Sequence, residues 1–140
     1  MRHELLKLAF TQYGIREIPG PQEDNPEIMK YFREIGQTWV MDDETAWCSA
    51  FVNWVCKSLE YSYSGKLTAR SWLNTGYRVQ NPIPGDVVIL WRESISSWKG
   101  HVGFYINHDA ENIYILGGNQ NNMVNITAYP VGRLLEYRRV

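Results

Sequence analysis

Two residues in this chain have side chains that do covalent chemistry when paired. They are a cysteine, Cys48, at the start of an apolar helical run, and a histidine, His101, at the start of a strand. A thiol becomes a nucleophile when a nearby imidazole shares its proton, and that imidazole needs a third polar group to orient its ring. The run Ala46-Trp47-Cys48-Ser49-Ala50-Phe51-Val52 and the residues to Val55 have helical spacing, and Asp42, Asp43, Glu44 and Thr45 ahead of it can cap free N–H groups. Cys48 therefore falls in a first helical turn, where the positive end of the helix dipole lowers a thiol pKa while the three acids oppose it. Cys48, Val52, Val55 and Leu59 share one stripe, so the thiol ends a core-facing row. A small buried hydrophobe is the alternative reading of such a cysteine.

His101 alternates with Val102, Phe104 and Ile106 and faces away from that apolar row. The third group should come from the next strand. Asp109-Ala110-Glu111-Asn112 reads as a hairpin loop, and the returning strand ends in Gly117-Gly118-Asn119-Gln120-Asn121. Pairing His108 with Ile113 sets His101 opposite Gln120 and turns Asn119 to the other face, whereas a bulge at Gly117-Gly118 would restore Asn119. Asn119 is thus the first candidate and Gln120 the second. On its own His101 could also be a half-buried structural histidine, and His3 and His108 read as a terminus and a loop edge. Trp47, Trp91, Trp98 and Tyr105 are candidates for the walls of a substrate groove. Cys56 reads as core. It lies roughly 12 Å from Cys48 along the same helix, so the two cannot pair. With no C-x-x-C or H-x-x-x-H spacing, no Gly-rich phosphate loop and no G-x-S-x-G serine, neither a metal nor a cofactor is expected.

The elements that must position these residues change character along the chain. Helices are expected over 3–13, from Pro26 to about Ile35, from the Cys48 region to a fade at Tyr61–Gly65, and briefly at Ala69–Leu73. Asn81-Pro82-Ile83-Pro84-Gly85-Asp86 is turn chemistry. Strands follow at Val87–Trp91, through Val102 to Ile106, at Ile113–Leu116, at about Met123–Tyr129 and at Leu134–Arg139. Helices first and antiparallel strands afterwards make an α+β fold, N-terminal helices packed on a C-terminal antiparallel sheet, in one domain spanning 1–140.

The 140 residues carry a net charge of −1 with a pI near 6.3, and Lys and Arg are not clustered. That balance excludes a nucleic-acid footprint and a basic membrane-binding face. The 6 Trp and 9 Tyr are many for this length, so some rings should border a groove. The N-terminal apolar run is too short and too interrupted by charge for a signal peptide or a membrane span, so a chain acting outside the cytoplasm would need another carrier.

Four stretches taken in order, Ala46-Trp47-Cys48-Ser49-Ala50-Phe51-Val52, Pro84-Gly85-Asp86-Val87-Val88, Gly100-His101-Val102-Gly103-Phe104 and Leu116-Gly117-Gly118-Asn119-Gln120, resemble the CHAP and NlpC-like peptidoglycan amidases and endopeptidases. Glu17-Ile18-Pro19-Gly20 and Asn25-Pro26 are similar to the N-terminal part of one CHAP-like subgroup, so the resemblance covers nearly the whole chain. It implies a papain-like cysteine hydrolase with Cys48 as nucleophile, His101 as general base and Asn119 orienting the ring. It also implies peptidoglycan as substrate, no cofactor, a monomer, and action at the cell wall or periplasm after delivery as a phage lysin or secreted effector. An inhibitor protein would accompany a toxin. One departure is that many CHAP domains carry a glutamate two residues before the asparagine, where this chain has Gly117. Two other classes remain open: a non-catalytic wall-binding module, and a papain-like enzyme with a protein substrate.

Overall fold

The computed structural model describes residues 3–18, 24–37 and 47–140. Three helices come first, α1 (His3–Phe10), α2 (Pro26–Glu34) and α3 (Cys48–Ser58), and a short 3-10 turn covers Ala69–Asn74. The strands are β1 (Tyr77–Val79), β2 (Val87–Trp91), β3 (Gly100–His108), β4 (Asn112–Gln120), β5 (Met123–Pro130) and β6 (Leu134–Arg139). They form one sheet of order β1-β6-β2-β3-β4-β5 in which every pairing is antiparallel. The α+β architecture is the one expected, and β1 is an addition to it. The acids and Thr45 proposed as caps of α3 lie outside the described residues.

Local chemistry explains the helices. Asn25 Oδ1 accepts the Glu27 N–H at 2.8 Å and Pro26 supplies a preset first position, so α2 starts there and buries Ile28, Tyr31 and Phe32. Helix α3 is more enclosed than a single stripe would require, because every residue from Cys48 to Cys56 is buried. Its polar members are satisfied. Ser49 Oγ donates to Lys66 O at 2.6 Å and accepts from Trp72 Nε1 at 3.0 Å, while Asn53 Nδ2 donates to Lys66 O and Asn53 Oδ1 accepts the Gly65 N–H. This network pins the first turn of α3, and with it Cys48, to the chain at 64–72.

The sheet has two differently covered faces. Val87, Ile89, Val102, Phe104 and Leu116 pack with the helices in the main core. On the other face Val88, Leu90, Tyr105, Ile113, Ile115 and Tyr137 form a second cluster, made among the described residues of strand residues alone, around which the sheet curls. Where β2 begins and β6 ends, Asp86 is fully buried and takes both Arg139 Nε (2.9 Å) and Nη2 (2.8 Å) while accepting the Ile83 N–H. The Pro84-Gly85-Asp86 turn thereby locks the end of β6 against the start of β2.

Candidate active site

The first turn of α3 meets the sheet where β3 and β4 part. Their ladder runs from His108↔Ile113 to Phe104↔Leu116, with a shift between Tyr105 and Asn107. Past Leu116, β4 leans onto the helix. A Cβ on Gly118 would stand 2.6 Å from the Trp47 ring and 2.9 Å from Phe51 Cβ, so only glycine permits this approach. Trp47 is itself anchored from the other side, its Nε1 donating to Glu17 Oε1 at 2.7 Å.

In that opening lies a cleft of about 410 Å³, bordered by Cys48, His101, Asn119, Asn122 and Tyr129 together with Arg92 and Arg133. Cys48 and His101 are each 6% exposed. Burial pushes the thiol pKa up, outweighing the nearby backbone N–H groups of Val102, Ser49 and Cys48 and the Arg92 charge, which favour the ionised form. Burial also pushes the imidazole down, to about 4, against the hydrogen bond from Gln120 and with help from Arg92 and Arg133. The resting pair is therefore a neutral thiol and a neutral imidazole.

The tautomer follows from Gln120. Its Nε2 donates to Ile115 O (3.1 Å), Asn125 O (2.8 Å) and Asn125 Oδ1 (3.0 Å), so that atom is the amide nitrogen and Oε1 faces His101 Nε2 at 2.9 Å. A carbonyl oxygen needs a donor opposite it, so Nε2 carries the hydrogen. Nδ1 is left as the basic nitrogen. Tyr129 Oη stands 3.2 Å from the same Nε2, its ring tilted over the imidazole with centroids 5.1 Å apart. The Nε2–H thus spans two acceptors, and the Tyr129 hydroxyl hydrogen remains available to the cleft. Burial, and next the Cys48 charge, push the Tyr129 pKa up to about 12.

The sequence candidates are placed unevenly. Cys48, His101, Asn119 and Gln120 converge, but Gln120 rather than Asn119 holds the ring. The β4 bulge falls between Gly117 and Gln120 against β5, with Asn119 at φ 57°, and the second shift in β3 alters the register that sequence pairing assumes. Position 117 is part of the same arrangement. A Cβ there would stand 2.7 Å from Gln120 Oε1, so the absence of a side chain at Gly117 makes room for the amide. Of the four groove candidates, Trp47 is fully buried in the core under Gly118, and Tyr105 is 5% exposed in the strand-only cluster; neither borders the cleft. Trp91 donates Nε1 to Gly132 O and packs beside Arg133, while Trp98 is 71% exposed on the β2–β3 loop.

Arg92, Asn122, Tyr129 and Arg133 are the cleft residues that sequence reasoning missed. Tyr129 and Arg133 follow β4 and β5 in the chain and return to His101 only through the curl of the sheet, which no local periodicity encodes. Arg92 directly follows the apolar run of β2, and that adjacency was the one available signal.

A CHAP domain model matches residues 40–119. Among solved structures, the chain is similar to NlpC1 from Trichomonas vaginalis, with a TM-score of 0.58 and 16% identity over 99% of this chain and 43% of that one. The chain thus spans less than half the length of that protein, and at this identity the likeness is one of fold. No curated protein matches the sequence.

Proposed function

Because the chain belongs to the CHAP family, whose domains are typically cysteine- and histidine-dependent amidases or peptidases of peptidoglycan, we propose that it hydrolyses an amide of the wall peptide with Cys48 as nucleophile. The observation that carries this reading is the Gln120-held His101, whose Nδ1 is left basic in the cleft that Cys48 borders. His101 Nδ1 takes the Cys48 proton as the sulfur attacks the amide carbonyl, and returns it to the leaving amine as the C–N bond breaks. Water then attacks the thioester, giving its proton to His101, and the free acid and thiol are regenerated. Gln120 keeps the ring in the productive tautomer throughout and accepts from the transient imidazolium. The Cys48 backbone N–H, at the open end of α3, is the group best aligned to hold the oxyanion.

Purified sacculi labelled with a covalent dye test the reading. Wild-type protein should release dye, and Cys48→Ala and His101→Ala, each folded by circular dichroism, should not. Release by Cys48→Ala at the wild-type rate would overturn the nucleophile assignment. The same assay on intact cells would show whether the protein reaches the wall without a carrier.

A further inference from the structure

Among the described residues the cleft has two guanidinium groups on its border and no carboxylate. Arg133 is built in. Its Nε donates to Trp91 O at 3.0 Å, and its guanidinium carbon lies 5.9 Å from the Trp91 ring centroid and 5.6 Å from that of Tyr129. This fixes the plane of the group and leaves its Nη donors without a protein acceptor among the described residues. Arg92 is exposed at the end of β2, and its guanidinium makes neither a hydrogen bond nor an ion pair with the described residues. The two charges reach the reacting groups: both depress His101, and Arg92 also acts on Cys48.

Two cations with no carboxylate partner among the described residues, beside a base that must become cationic, oppose the first step of thiol catalysis. A bound anion would remove that opposition. Peptides carry one anionic group suited to two arginine forks, the carboxylate. We propose that Arg92 and Arg133 form a carboxylate-binding subsite beside Cys48 and His101, which selects peptides bearing a free carboxylate next to the amide to be cut. This rests on the amide-hydrolase reading above. When the subsite fills, the substrate neutralises the arginines and thereby strengthens its own general base.

The test uses matched wall peptides whose carboxylates are free or converted one at a time to carboxamides. Wild-type kcat/KM should fall about tenfold or more on amidation of the flanking carboxylate, as expected for losing charge-assisted hydrogen bonds. The position of the sensitive carboxylate assigns it to the acyl or the amine side. In Arg92→Gln and Arg133→Gln, checked for unchanged melting temperature, the preference should shrink towards onefold. Equal cleavage of free and amidated peptides by the wild type, or equal slowing of both by the variants, would overturn the subsite. If neither peptide is cut, the hydrolase reading fails instead. Binding of the same pair to Cys48→Ala by calorimetry then decides the subsite: preference for the free form supports it, and equal or no binding overturns it.

Discussion

Lowering the pH should weaken the fold through His101 in a way that can be isolated. Its imidazole is held at about 4 by burial, and the unfolded chain returns it to its ordinary value of 6.5. A folded pKa below the unfolded one means that between those two values the unfolded chain binds a proton that the native state refuses, so stability falls as the pH drops. The loss begins below about pH 6.5 and is complete near pH 4. A difference of roughly 2.5 pH units at 1.36 kcal/mol each corresponds to about 3 kcal/mol. His101→Gln, with no titrating group, provides the reference. Urea unfolding of both proteins at pH steps from 7 to 4 gives ΔG from midpoint and slope, and subtraction cancels the carboxylates they share. The wild type should lose about 3 kcal/mol more than the variant across this window. Parallel curves would refute the buried, neutral imidazole and the resting state derived from it.

Other outcomes follow from the same geometry. Cys48, raised by burial, should be alkylated by iodoacetamide more slowly at neutral pH than a free thiol and progressively faster into the alkaline range; a fast plateau beginning in mild acid would mean a preformed ion pair. Gly117→Ala should displace the Gln120 amide and lower kcat on wall peptides about 10²-fold, at a stability cost of about 1–3 kcal/mol for the disturbed hydrogen bonds of that buried amide; unchanged kcat in the folded variant would separate Gln120 from the reaction. Asp86→Asn should destabilise the fold by about 1–3 kcal/mol through loss of the charge-assisted hydrogen bonds to the partly exposed Arg139, measured by urea unfolding, and leave the released fragments the same; an unchanged stability would contradict its role in locking β6 to β2.

Helices and strands were legible because their signals are local. Asn25-Pro26 starts a helix by its own chemistry, and the Val87–Trp91 run reads as a buried strand without knowledge of its neighbours. Cys48 and His101 could be brought together because each sits at the end of an element with a definite direction. The third residue was harder. Asn119 and Gln120 differ by one position, and the choice depends on a bulge in β4 and a shift in β3, both set by packing against α3 at Gly118. Ring count suggested a groove of aromatics, whereas Trp47 fills the core and the cleft is polar, with Arg92 and Arg133 facing it. Strand β1 is three residues long and has little pattern of its own; it exists because Arg139, Arg138 and Tyr137 offer it an edge.

Cysteine-dependent cleavage of a wall amide is read out by mass spectrometry of the soluble fragments that wild-type protein and Cys48→Ala release from purified peptidoglycan. Fragments should appear with the wild type alone, every cut bond leaving a new carboxylate on one product and a new amino group on the other, with no new sugar reducing end. The same fragments from Cys48→Ala, or new reducing ends from the wild type, would contradict that chemistry.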